Sequence, residues 1–210
     1  MRSVFAVCTA LFLMTMPAAV ADDQPAAPAM PDEAQQDGPL QDAPAQPPET
    51  HAQKLDRLFA SLKRERNEKA AERIANRIWQ EWSRSGSASI DLMMQWTQKA
   101  IEEQKYDVAL DFLDQVVTLE PAYAEGWNRR ATVHFLMKNY AKSMADIEKT
   151  LQLEPRHFGA LSGLAQIMTD TGRKEAALQA WQRVLDIYPM LRNAQNQVAT
   201  LSEELAGEGI

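Results

Sequence analysis

Cysteine is almost absent from these 210 residues: the one copy, Cys8, lies in an apolar run near the start. A chain with no other cysteine builds no disulfide framework and no thiolate zinc site, and it offers no cysteine nucleophile. Glycine is sparse, at 8 residues, and nowhere forms a phosphate-cradling loop. Gly159 and Gly163 fall inside a helical pattern, where close packing is their expected purpose. The three histidines, His51, His134 and His157, lie far apart, and no pair has the i, i+4 spacing of a helical metal site. The carboxylates are scattered and are expected on solvent faces. With no nucleophile, acid–base pair or ligand cluster of the usual kinds, no catalytic residue, metal site or cofactor is expected, and the chain reads as a non-enzyme. Strand patterning is missing as well.

Two further absences divide the chain. Residues 22–50 contain no lysine or arginine, and no proline lies between Pro48 and Pro121. Ahead of the first boundary, Arg2 followed by the apolar run Val4–Met16 and the small residues Ala19-Val20-Ala21 has the form of a secretory signal over 1–21, cleaved after Ala21. The run is short for a spanning helix, which needs about 20 apolar residues. The expected address is the periplasm of a Gram-negative bacterium, with no membrane insertion once the signal is gone. Residues 22–50 hold seven prolines and seven acidic side chains among Ala and Gln. Such a segment buries too little apolar surface to offset its ordering entropy, so a disordered acidic tether is expected. Setting aside Arg2 and those seven acids, the 22 basic and 29 acidic residues of the whole chain become 21 and 22 from residue 51 onward. A body so nearly neutral gives no electrostatic case for binding nucleic acid.

From residue 51 the pattern is helical throughout. Pro121, Pro155 and Pro189 recur every 34 residues, each closing a pair of amphipathic helical segments. A fixed period of that size marks stacked repeats. With each closing proline set at position 32, position 4 is Met93, Trp127 and Leu161, and position 8 is Thr97, Ala131 and Ala165. Position 20 is Ala109, Ser143 and Ala177, and position 24 is Leu113, Ile147 and Trp181. Helix pairs are predicted at about 90–103 and 106–119, 123–137 and 140–153, and 157–171 and 173–187.

This large–small, small–large alternation resembles the tetratricopeptide repeat (TPR) family. From LDRLF at Leu55 through WNRRA at Trp127 to EPRHFGALSGLA at Glu154, the chain is similar to the small exported TPR proteins of alphaproteobacteria. The resemblance implies an all-α, right-handed α-solenoid over residues 51–210. It would hold three good repeats (90–123, 124–157, 158–191), a degenerate repeat in front (56–89) and a capping helix behind (192–206). The degenerate unit places Phe59 at position 4, Leu62 at 7, Ala75 at 20 and Trp79 at 24. Trp82 is assigned to the seam between that unit and the first good repeat. All five tryptophans, Trp96 and Trp127 included, are read as packing residues.

The resemblance also implies a use: a concave groove lined by the first helix of each repeat, binding an unidentified protein or peptide. Carried over by position, the candidate groove residues are Arg64, Met94, Gln98, Ile101, Asn128, Thr132, Phe135, Ser162, Gln166 and Thr169. Apart from Arg64 they form a polar, uncharged surface with a few apolar contacts. TPRs that clamp chaperone C-termini carry Lys and Asn at positions 5 and 9 of their first repeat; here these are Met94 and Gln98, so that role does not transfer. The expected protein is an exported adaptor, a monomer in isolation. The alternatives are a structural or self-assembling piece of an envelope complex and, more remotely, an enzyme or enzyme subunit. One residue breaks its own repeat. Position 7 is apolar in the other units, as Leu62, Trp96 and Leu164, but is Arg130 here; a structural ion pair with Asp111 or Asp114 on the preceding helix is expected, the alternative being an anion site inside the groove.

Overall fold

The computed structural model of the protein describes residues 49–208. The expected signal over 1–21 and most of the expected tether over 22–50 lie outside the described residues. Among those described there are nine α-helices and no strand: α1 His51–Arg64, α2 Glu68–Trp82, α3 Ala88–Glu102, α4 Tyr106–Leu119, α5 Ala124–Leu136, α6 Tyr140–Leu153, α7 Phe158–Asp170, α8 Lys174–Ile187 and α9 Arg192–Glu208. Glu49 and Thr50 belong to the folded part. Thr50 caps α1 in a reciprocal box with Gln53, and Glu49 pairs with Arg57 at 2.9 Å.

Three hairpins, α3–α4, α5–α6 and α7–α8, share one construction. Each first helix ends at position 13 and each second helix starts at position 17. Between them, position 15 takes a positive φ in all three: Gln104 at 57°, Lys138 at 59° and Gly172 at 72°. The N–H of position 16 then reaches back to the carbonyl of position 11 at 2.8 Å every time, satisfying a helix end that would otherwise be left open. Glycine fills this left-handed position in only one of the three, which is why it gave little punctuation in the sequence. The interhelix contact lies where the small residues predict. Thr97, Ala109, Ala131, Ser143, Ala165 and Ala177 are all buried, and Ser143 Oγ donates to the Ala131 carbonyl at 2.8 Å. Leu113, Ile147 and Trp181 fill the space beside them. Behind the last repeat, α9 covers α8 with Ala194 and Leu201 buried.

The leading hairpin is degenerate in a specific way. Its turn, Glu65–Asn67, comes at positions 10–12, four residues early, and Asn67 caps α2 by accepting from Ala70 N–H. No positive φ occurs there. With the turn displaced, the two helices cannot both keep the repeat's frame, and the hairpin does not stack in front of α3. It packs instead on α8 and on the turns that close the second and third repeats. Trp82, assigned from sequence to the seam with α3, stacks flat on His157 with ring centroids 4.0 Å apart. Trp79 meets Phe158 edge-on at 5.5 Å. Arg156 bonds Asp56 at 2.6 Å and lies 4.2 Å over the Phe59 ring, while Arg192 bonds Glu68 at 2.6 Å. Gly159 admits this arrangement, because a Cβ there would fall 2.6 Å from the Trp79 ring.

That choice leaves the front of α3 bare. Leu92 and Trp96 are 43% and 46% exposed, so Trp96, although it leans on the Phe112 ring at 5.4 Å, is not buried in a stack as the sequence suggests. Trp127 also departs from expectation. It is half-buried, and its indole N–H donates to the Pro121 carbonyl at 3.0 Å.

Candidate functional site

Helices α3, α5 and α7 carry nine of the ten candidate groove residues at equivalent places. The tenth, Arg64, ends α1 on the displaced hairpin and is not part of the row. The hydroxyls in the row spend their protons on their own helices. Thr132 donates to Asn128 O at 3.0 Å, Ser162 to Phe158 O at 2.7 Å and Thr169 to Ala165 O at 2.9 Å. What remains to a ligand is their acceptor lone pairs, suited to N–H groups. Gln166 donates to Asp170 at 2.7 Å. Met94, Ile101 and Phe135 are half-buried; the first two pack into the core of the first hairpin, while Phe135 leans on Tyr140.

The expected absence of charge from the groove is corrected by Glu125 and Arg129. Glu125, at position 2 of the second repeat, is 1% exposed. Its carboxylate accepts from Arg129 at 3.0 Å and from Asn128 Nδ2 at 2.9 Å, and stands 3.3 Å from His157 Nε2. His157 is the N-cap of α7: its Nδ1 accepts from Ala160 N–H at 3.1 Å, so Nε2 carries the proton and donates to Glu125. Arg129 also donates to Gln98, whose own amide donates to Glu102 at 2.8 Å. A polar chain thus runs from α3 through α5 to the start of α7. Burial pushes the Glu125 carboxyl up, but the bond from His157 and the fields of Arg129 and His157 outweigh it and hold the group below the ordinary carboxylate range. The carboxylates are expected on solvent faces; Glu81, Glu125 and Asp146 are buried instead, each paired with a lysine or arginine. Glu81 takes Lys54 at 2.6 Å, His51 at 3.3 Å and Arg84 at 3.5 Å, which ties the leading hairpin together.

Between α5 and α7, with α6 as floor, a cavity of about 130 Å³ opens on the groove. Asn128, Thr132 and Phe135 stand on its α5 side, Ile147 at its base, and Gly159 and Gly163 on its α7 side. Among the described residues no group of three or more His, Cys, Asp or Glu is placed to hold a metal, and no helix is long and apolar enough to cross a membrane.

Comparison with known proteins fixes the family. The Tetratricopeptide repeat profile matches residues 124–157. Over 155 residues the chain is 59% identical to a TPR repeat-containing protein of Rhizobium etli, covering 74% of this chain and 76% of that one. The chain is a tetratricopeptide repeat protein. It is also 30% identical over 117 residues to small glutamine-rich tetratricopeptide repeat-containing protein 2 of Saccharomyces cerevisiae, covering 56% of this chain and 34% of that protein. Among solved structures it resembles the first TPR of Spaghetti (RPAP3), with TM-score 0.53 at 23% identity over 56% of this chain and 93% of that one. It also resembles the Sgt2 TPR domain from Aspergillus fumigatus, with TM-score 0.54 at 17% identity over 59% and 83%. At these identities the likeness is one of fold: an all-α TPR solenoid.

Arg130 of the TPR stack ties three helices. Its Nε and Nη2 form a two-pronged pair with Asp146 on α6 at 2.8 and 2.7 Å, and Nη1 reaches Asp114 on α4 at 2.8 Å. Asp111 is not among its partners. The guanidinium lies 4.8 Å over the Trp127 ring. Sequence reasoning missed Asp146, although a signal was present. It occupies position 23, where the other TPR units have Phe112 and Ala180, so a buried carboxylate coincides with a half-buried arginine in the same unit. The Glu125–His157 contact carried no such signal, because position 2 of one repeat meets the cap of the next only through the tertiary turn.

Proposed function

We propose that this TPR protein is a non-enzymatic adaptor of the cell envelope that binds a segment of another protein along α3, α5 and α7. The observation that carries the reading is the acceptor-rich row of Thr132, Ser162 and Thr169 beside the apolar Phe135. It suits an extended backbone with an occasional side chain seated. Two TPR domains of the same fold support peptide binding as a use: that of RPAP3 bound to the HSP90 peptide SRMEEVD, and the TPR2B domain of yeast Sti1 in its complex with Hsp70. An acidic tail is not the ligand proposed here. Arg129, which reaches the row at Gln98, is already held by Glu125 and Gln98. Export rests on the signal-like residues 1–21 and is tested by fractionating cells that express the full chain. For the groove, partners recovered from periplasmic extract by the mature protein should be lost with Thr132→Lys, an exposed position, at unchanged melting temperature. Equal recovery by both forms would remove the groove from the reading.

The bare front of α3, with Leu92 and Trp96 exposed, favours a second reading, in which the protein assembles with its own copies through that end. Sedimentation over a wide concentration range should then reveal a dimer that Trp96→Lys dissolves. A monomer throughout would eliminate this reading.

A further inference from the structure

The two glycines of α7 have different reasons to be glycine. A Cβ at Gly159 would fall 2.6 Å from the Trp79 ring, and one at Gly126 on α5 would fall 2.8 Å from Val116 Cγ1; packing accounts for both. At Gly163, also expected to serve close packing, a Cβ would meet only Ile147 Cδ1, at 3.5 Å, an ordinary contact. Alanine would fit there and would favour the helix, since glycine in a helix interior is the poorer choice. The space that glycine leaves is part of the cavity of about 130 Å³ that opens on the groove.

We propose that this cavity is a socket for one aliphatic side chain of leucine or methionine size, presented by an extended peptide lying along the groove; the inference rests on the groove reading above. Its volume lies somewhat below the ~150 Å³ at which an apolar protein cavity accommodates benzene, which suits a branched or linear aliphatic group and excludes an indole. Ala131, Ile147, Ala160 and Phe135 supply an apolar lining, and among the described residues that border it none is charged. The polar atoms around it are directed: Ser143 donates to Ala131 O, and Thr132 donates to Asn128 O. Asn128 donates one Nδ2 proton to Glu125, which orients the amide and leaves Oδ1 to accept a backbone N–H next to the seated side chain. Glu125, His157 and Arg129 thus act on the socket through Asn128, as positioning residues.

The test is selection of a displayed random decapeptide library on the full chain, followed by affinity measurement of the selected peptides against three variants. Gly163→Ala should melt no lower than the parent and weaken binding by roughly tenfold or more, the scale of one methylene-sized change in an apolar pocket. Gly163→Leu should abolish binding, and the selected peptides should share one Leu, Met or Ile whose replacement by Ala has the same effect. Peptides that lose binding with Thr132→Lys but ignore Gly163→Ala, or share no aliphatic position, would overturn the socket and leave the groove standing. If no peptide is selected, or the selected peptides are indifferent to Thr132→Lys, the groove reading fails and the socket fails with it.

Discussion

The fronts of the first and second repeats occupy identical places in the 34-residue frame and have opposite surroundings. In the second, position 3 is Gly126, pressed so close to α4 that a Cβ would overlap Val116, and position 7 is Arg130, held between Asp114 and Asp146. In the first, the same positions are Leu92 and Trp96, both over two-fifths exposed. The difference lies in whether a second helix precedes the repeat. Helix α4 precedes α5, but α2 has gone elsewhere, taking with it the surface that would have covered α3. A repeat's interior is therefore its own property, while the burial of its front belongs to its neighbour.

The largest effect that should break this contrast is at Arg130. Arg130→Ala leaves Asp146, 4% exposed, without its two-pronged partner, and should cost on the order of 3–5 kcal/mol in urea unfolding. The bonds it donates to Asp146 hold the guanidinium firmly charged, its pKa above even the usual arginine value. Arg130→Leu should also destabilise while Asp146 stays ionised, and Arg130→Leu with Asp146→Leu should recover most of the loss, since apolar packing often equals a buried ion pair. Failure of the double variant to recover would mean that the geometry of the tie matters beyond its charge.

A smaller effect separates the two fronts directly. Gly126→Ala forces Val116 or Tyr123 to move and should cost about 1–3 kcal/mol. Leu92→Ala, at the equivalent position, should fall within about 0.5 kcal/mol of the parent, as exposed substitutions do. Equal losses in thermal melts would show that α3 is covered after all.

The smallest effect is a pH dependence that belongs to the second repeat. Glu125 has a folded pKa below its ordinary value of 4.5, so the unfolded chain binds its proton more readily. Its contribution is therefore fully present above about 4.5 and is lost as pH falls through the lower, folded value. Urea midpoints measured from neutral pH downward should show an acid decline that is shallower in Glu125→Gln. Parallel declines would assign the acid sensitivity to other carboxylates, Glu81 first among them, since Lys54 holds its carboxyl below the ordinary range as well.

Much of the stack was legible in the sequence because its determinants are local. The closing prolines, the small residues at positions 8 and 20 and the large ones at 24 each act within a single hairpin, and helix ends fell within two residues of the expected bounds. The leading unit was legible as two helices but not as a displaced pair. Its turn rests on Asn67 capping α2, a signal that competes with the frame and prevails because a capped helix start is available four residues early. In the groove, the row itself follows from the period. The charge of Glu125 was visible, but its burial was not.

By itself the sequence determined the family, the period, the helix pairs and the side of each helix that meets its partner, because residues within one hairpin are close in the chain and their spacing is fixed by the helix. Only the tertiary structure decided where the leading hairpin lies, which front is bare, that His157 caps α7 with its proton aimed at Glu125, and that Gly163 borders the groove cavity with only Ile147 near it. Those outcomes depend on contacts between residues far apart in the chain, such as Asp56 with Arg156 and Glu68 with Arg192. A linear period cannot express them, because each is a competition between two surfaces that the same sequence could bury.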